Sequence, residues 1–280
     1  MRRNSVVLAW GALRARQWWH MVLLPGSSLP IGSRGLELSD AWLMTKAGVI
    51  ASLCLGFGYG ANAIADRFGD SPGRKNPLAG YQRVPGLVWG AVVLAGILGL
   101  LFSTQLGPES AIAASVSMGA GALYSFGLRF KAIPFVSFFT NALIFAPLMF
   151  VGAEGAFTRT TTWFFVTVFT VLLMQNELLH EMGDLDDDRK MGVVSTVEQI
   201  GYRAARGFVF LLGVIGAVML VCLFHGGVVW WAAAGCVASG VLCTLVPVAA
   251  AKRGRVLHRW FALLLGGGLY VALAVFGSRV

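Results

Sequence analysis

The chain has 280 residues, 57% of them hydrophobic and only 12% charged, with a mean hydropathy of +0.73. A soluble domain of this length carries about a quarter charged residues, so composition excludes a soluble globular fold in favour of a polytopic membrane protein. The formal net charge of +9 does not indicate a nucleic-acid partner, because the basic residues are dispersed between apolar spans instead of gathered on one face.

From the N-terminus, Arg2-Arg3 followed by Val6 to Leu13 imitates the start of a signal peptide. Arg14 and Arg16 then interrupt the apolar run, and no small-x-small cleavage site follows. The expectation is a helix on the membrane surface, anchored by Trp10, Trp18 and Trp19. Apolar runs of spanning length predict nine transmembrane helices, over residues 18–33, 41–62, 85–106, 110–127, 133–152, 162–182, 205–225, 228–250 and 257–277. Pro25 and Pro30 tilt or break the first. Leu106-Gly107-Pro108-Glu109 and His225-Gly226-Gly227 mark hairpins between neighbours. The fold class is therefore an all-α integral membrane protein, with residues 1–280 read as one transmembrane domain.

Lys and Arg fix the expected orientation. With the N-terminus inside, eighteen of the twenty-two fall on cytoplasmic segments, and only Arg34, Lys46, Arg159 and Arg279 on or near the other side. That bias satisfies the positive-inside rule. Cys54, Cys222, Cys236 and Cys243 lie singly in apolar segments without zinc or disulfide spacing, and read as small packing residues.

The acids gather in two places. One is Asn62-x-x-x-Asp66-x-x-x-Asp70; the other runs from Glu177 through Glu181, Asp184, Asp186 and Asp187 to Asp188. Each ends a long apolar stretch on the inner side, and ionisable groups at such a place are kept mainly for chemistry or for ions. A four-residue step advances about 40° around a helix, so Asn62, Asp66 and Asp70 form one slowly turning stripe if the helix continues that far. Glu177, Glu181, Asp184 and Asp188 stay within an arc of about 60°, whereas Asp186 points away. Like charges four residues apart repel, and hard oxygen ligands with open positions suit Mg²⁺, which binds through a few carboxylates plus substrate phosphates. Arg67, Arg74 and Lys75 follow the first cluster, and Arg189 and Lys190 the second. A third inner loop, Tyr124-Ser125-x-x-x-Arg129-x-Lys131-x-x-Pro134, adds two cations. Such a set can clamp a diphosphate.

With these motifs the chain resembles the UbiA-type superfamily of intramembrane prenyltransferases, which carry nine transmembrane helices and aspartate-rich motifs on the second and sixth. Asn62, Asp66 and Asp70 match the first motif, with Ala63 where an Asp is customary. Asp184, Asp188, Lys190 and Gly192 match the second, and Ser195-Thr196 with Gly201 extend the likeness. The Tyr124…Pro134 loop and the Arg14…Pro25 segment resemble the family too. The resemblance implies a UbiA-like bundle around a central cavity. It implies Mg²⁺ bound by Asn62, Asp66, Asp70, Asp184 and Asp188, with Glu181 compensating for Ala63, and an isoprenyl diphosphate held by Asn62, Arg67, Lys75, Tyr124, Arg129, Lys131 and Lys190. The catalytic residues would be Asp66, Asp70, Asp184 and Asp188. Metal-assisted ionisation would give an allylic carbocation, captured by a hydrophobic, typically aromatic, acceptor, with the membrane lipid as surroundings. Tyr124, Phe126 and Phe145 are aromatic faces that could steady the cation.

Three rivals share parts of this pattern. A terpene cyclase of the same superfamily would have unchanged motifs and differ in its products. Transfer of a sugar phosphate to a polyprenyl phosphate is suggested mildly by Arg14-x-Arg16-Gln17-Trp18. A cation-coupled transporter would be expected to show matched repeats and a midplane site, whereas both clusters here fall on one face.

Overall fold

The computed structural model describes residues 4–19, 21–22, 25, 38–70, 76–127, 129–152, 155–158, 160–190 and 194–223. Nine α-helices run through them, and no strand occurs among the described residues: α1 (Ser5–Ala12), α2 (Ala15–Trp18), α3 (Leu38–Ala65), α4 (Gly86–Thr104), α5 (Pro108–Ser125), α6 (Val136–Phe145), α7 (Thr160–Lys190), α8 (Thr196–Ile200) and α9 (Tyr202–Leu223). Helices α3, α4 and α5 pack on one another, α5 also packs on α6, and α7 packs on α6, α8 and α9. Two stretches, Trp42–Ala65 and Gly86–Thr104, are long and apolar enough to cross a membrane. In α4, Val88, Val92 and Ala95 are buried while Leu87, Trp89, Val93, Leu94 and Leu101 are exposed. A helix apolar on both faces needs a non-aqueous neighbour on the outer one.

Several predicted boundaries shift for identifiable reasons. The 162–182 span is part of the longer α7, whose charged end carries the second acidic cluster in continuous helix as far as Lys190. The 133–152 span begins at Val136 after a 3₁₀ turn, and its last turn, Ala146–Phe150, tightens to 3₁₀ around Pro147. Proline removes an amide donor there, and Ser117 Oγ donates instead to the Ile144 carbonyl at 2.5 Å. Pro108 stands in the first turn of α5, where its missing N–H costs nothing. The 18–33 span is entered only as far as Val22 and Pro25, and the spans at 228–250 and 257–277 lie outside the described residues.

Close helix contact is made by small residues. A Cβ built on Gly121 of α5 would stand 3.2 Å from the Gly58 Cα of α3, so these helices meet backbone to backbone. A Cβ on Gly60 would stand 2.5 Å from Val92 Cγ2 of α4. At the N-terminus, α1 buries Leu8, Ala9 and Ala12 against α3 and α4 and leaves Val6, Val7 and Trp10 exposed. Of the three tryptophans expected to anchor a surface helix, Trp10 and Trp19 are exposed, but Trp18 is buried and donates Nε1 to the Leu13 carbonyl at 2.6 Å, so it packs in the core instead. The chain then reverses at Arg14 in the left-handed region (φ +53°) before α2.

Candidate active site

The first acidic cluster sits where α3 ends. The helix stops at Ala65, earlier than an unbroken stripe would need, yet the spacing survives. The Asp66 amide donates to the Asn62 carbonyl at 2.9 Å and the Asp70 amide to the Asp66 carbonyl at 2.8 Å. The three side chains thus stay in helical register through a turn. With its amide set by the surrounding hydrogen bonds, Asn62 donates to Asp66 Oδ2 at 2.7 Å and accepts from Arg14 Nη1 at 3.1 Å. Arg14 also lies 3.5 Å from Asp70 Oδ2, and its side chain is only 7% exposed. Burial lowers the Arg14 pKa from its ordinary value, and the charges of Asp70 and Asp66 oppose that. Asn76 completes this corner: its Nδ2 donates to Asp70 Oδ2 at 2.8 Å and to the Ala63 carbonyl at 3.0 Å, while its Oδ1 accepts from the Leu78 amide.

The turn between α5 and α6 supplies two cations to the same carboxylate. Lys131 Nζ bonds Asp66 Oδ1, and Arg129 Nη2 lies 3.6 Å from that oxygen. Arg129 is in the left-handed region at φ +47°, as is Phe135 at φ +63°. Strained non-glycine residues of this kind persist only where their surroundings hold them. Tyr124, near the end of α5, lies in the field of carboxylates from both clusters, Glu177, Asp66 and Glu181. It packs with Tyr59 against the buried group that includes Phe145, whereas Phe126 stacks on Trp89 in a different group.

Helix α7 carries the second cluster. Glu177 and Asp184 are buried, Asp188 is half-buried and Asp186 is exposed, as the arc predicts. Asn141 Nδ2 of α6 donates to Glu177 Oε2. His180 Nδ1 lies 3.3 Å from Asp184 Oδ2. Glu181 accepts from Ser137 Oγ, Thr196 Oγ1 and the Val197 amide. Beyond it Arg189 Nε donates to Glu198 Oε1 at 3.0 Å, tying the end of α7 to α8. Among the described residues no three His, Cys, Asp or Glu side chains converge into a metal cage.

Comparison with known proteins decides the family. The model of the UbiA prenyltransferase family matches residues 18–265. The chain belongs to that family. UbiA proteins are membrane-embedded prenyltransferases, and solved structures agree in fold. A UbiA homologue from Archaeoglobus fulgidus bound to GPP and Mg²⁺ superposes with a TM-score of 0.69 at 18% identity, covering 94% of this chain and 99% of its own. A UbiA homologue from Aeropyrum pernix K1 gives 0.70 at 17% identity, covering 91% and 98%. Digeranylgeranylglyceryl phosphate synthase gives 0.73 at 13% identity, covering 98% and 100%. No curated protein sequence matches the chain.

Several residues of this cluster were not among those singled out by their motif. Arg14 comes from the far N-terminus, and Asn76, Asn141, Ser137 and Thr196 are uncharged. The signal of Asn76, Asn141 and Ser137 is geometric, whereas the Arg14 segment and Ser195-Thr196 had counterparts in the family pattern. Arg67, expected to face substrate, donates to the Ile64 carbonyl at 2.8 Å and stacks over Phe68 at 4.1 Å. Lys75 and Gly192 lie outside the described residues, and Lys190 closes α7 with its side chain outside them.

Proposed function

We propose that this chain is a Mg²⁺-dependent prenyltransferase which moves a prenyl group from an allylic isoprenyl diphosphate to a hydrophobic, aromatic acceptor. The observation that carries this reading is the convergence on Asp66 of Asn62, Arg129 and Lys131, with Arg14 bridging to Asp70. Carboxylates and cations in near balance at one end of a helical bundle form a seat for metal and diphosphate together. The donor set fits Mg²⁺: the oxygens are hard, and that ion binds through a few carboxylates while phosphate oxygens and water complete its shell. Asn62, Asp66, Asp70, Asp184 and Asp188 would hold it. When bound, Mg²⁺ supplies Lewis-acid polarisation of the diphosphate.

The protein's own groups do the rest. Lys131 and Arg129, joined by Lys75, Lys190 and Arg67, neutralise charge on the departing pyrophosphate. The C1–O bond of the allylic diphosphate breaks with both electrons on the leaving oxygen, and the acceptor supplies the pair for the new bond before losing a proton. Tyr124 steadies the cation, and the apolar bundle holds the isoprenoid tail away from water. Residues 1–280 form one multi-pass domain whose N-terminus and site face the cytoplasm.

The test is pyrophosphate release by the protein in lipid nanodiscs, with Mg²⁺ and geranyl, farnesyl or geranylgeranyl diphosphate, with and without a pool of aromatic acceptors. Acceptor-dependent release is expected. Release without acceptor, yielding a cyclic hydrocarbon or alcohol, would move the chain to the cyclases; release of a sugar phosphate onto polyprenyl phosphate would replace the reading with that transfer.

A further inference from the structure

Glu181 differs from the other acids of its cluster in what it touches. It is 8% exposed. Its Oε1 accepts from Ser137 Oγ and from Thr196 Oγ1, both at 3.2 Å, and its Oε2 accepts from the Val197 amide at 3.0 Å. These donors come from α6 and from α8, so a single carboxylate on α7 ties three elements together. A carboxylate offers about four acceptor positions, and three are already committed to neutral protein donors.

The network continues one bond further. Thr196 Oγ1 also accepts from the Phe135 amide at 3.0 Å. Phe135 ends the turn that carries Arg129 and Lys131, and both Arg129 and Phe135 are left-handed without being glycine. Such a turn, strained at each end, needs holding from outside. Its Arg129 end is held by the ion pair to Asp66. Its Phe135 end is held through Thr196 by Glu181, which stands three residues before Asp184 on α7.

We infer that Glu181 is a positioning residue. Through Thr196 and Ser137 it fixes the Arg129–Phe135 turn against α7, and so sets the separation between Lys131 and Arg129 on one side and Asp184 and Asp188 on the other. This rests on the proposed function for its consequence, since that separation is the width of the diphosphate seat. It assigns Glu181 to holding the cations in place, not to ligating the metal that spacing alone would give it.

The experiment compares Glu181→Ala, Glu181→Gln, Thr196→Val and Thr196→Ser in nanodiscs by two readouts. One is hydrogen exchange of residues 129–135. The other is titration with geranyl diphosphate and Mg²⁺, giving separately the affinity for the diphosphate at saturating Mg²⁺ and the Mg²⁺ concentration for half-saturation. Glu181→Ala and Thr196→Val are expected to speed exchange in 129–135 and to weaken geranyl diphosphate about tenfold, the scale on which outer partners of a site act. The half-saturating Mg²⁺ concentration should stay at the wild-type value in both. The double variant should be no worse than Glu181→Ala alone, because the two changes cut one linkage. Thr196→Ser keeps the hydroxyl and should restore wild-type behaviour. Glu181→Gln should keep the wild-type Mg²⁺ half-saturation, since the two hydroxyls can rotate to accept from its amide.

A tenfold rise in the Mg²⁺ requirement of Glu181→Gln, with Thr196→Val silent, would overturn the inference and make Glu181 a metal ligand. Unchanged exchange in both Thr196→Val and Glu181→Ala would overturn it as well. If the wild-type protein binds no geranyl diphosphate, the proposed function fails, while the exchange data still decide whether Glu181 holds the turn. Should Glu181→Ala not fold, Thr196→Val and Thr196→Ser carry the same comparison.

Discussion

Lys131, in the turn after α5, bonds the carboxylate of Asp66, which lies sixty-five residues earlier at the end of α3. The side chains are 20% and 10% exposed, so the pair is largely withdrawn from water. Charge-assisted bonds to such groups contribute about 1.5–3 kcal/mol.

Lys131→Met should therefore raise the KM for the allylic diphosphate by about 10- to 100-fold. Lys131→Arg, which keeps the charge in a different shape, should lose less. Steady-state pyrophosphate release in nanodiscs reads both. A Lys131→Met protein with wild-type KM would remove Lys131 from the diphosphate seat.

The buried and exposed acids of α7 should separate cleanly. Asp184→Asn is expected to lose at least about two orders of magnitude in turnover, on the scale of removing one preorganised charge from an ionising group. Asp186→Asn should stay within about twofold, as surface changes usually do. Comparable losses in both would mean that burial is a poor guide to function on this helix.

Arg14 should matter first for stability. Its guanidinium is buried against Asp70 and Asn62, while Asp70 is 29% exposed and keeps its bond from Asn76. Removing Arg14 should therefore cost less than the loss of about 3–5 kcal/mol that follows when a fully buried pair is broken. Arg14→Met should lower the melting temperature in detergent, and Arg14→Met combined with Asp70→Asn should recover part of the loss. Additive destabilisation would show that the two residues are not coupled.

Backbone contact between α3 and α5 predicts a steric effect with no charge involved. Gly121→Leu would drive a side chain into the Gly58 Cα and should destabilise the bundle by about 1–3 kcal/mol, the usual cost of overpacking. Thermal unfolding measures it. Gly119, whose Cβ would meet nothing within 4 Å, is the control and should tolerate Ala.

Much of this arrangement was legible before any coordinates. Apolar runs located α3, α4, α5, α6, α7 and α9, although among the described residues only Trp42–Ala65 and Gly86–Thr104 are long and apolar enough to span a membrane, so the count of nine spans is not reached. Acid spacing set Asp184 and Asp188 apart from the exposed Asp186. The i, i+4 spacing of Asn62, Asp66 and Asp70 was right even though α3 ends at Ala65, since the following turn keeps the same hydrogen bonds. What spacing did not convey was how Glu181 is used. Its three partners come from α6 and α8, and a helical wheel holds only one helix. Arg14 escaped inclusion for a similar reason: an arginine beside a surface helix looks like a topology marker until a left-handed turn at its own backbone aims it inward.

The order of synthesis gives that left-handed turn another meaning. Of the three cations that the described residues bring to Asp66, Asp70 or Asn62, Arg14 has left the ribosome when the end of α3 emerges, whereas Arg129 and Lys131 follow much later in the chain. The carboxylates thus have a counter-ion already waiting on α1's short connection. The nascent protein can seat its first acidic motif before the loop that will finally share it exists.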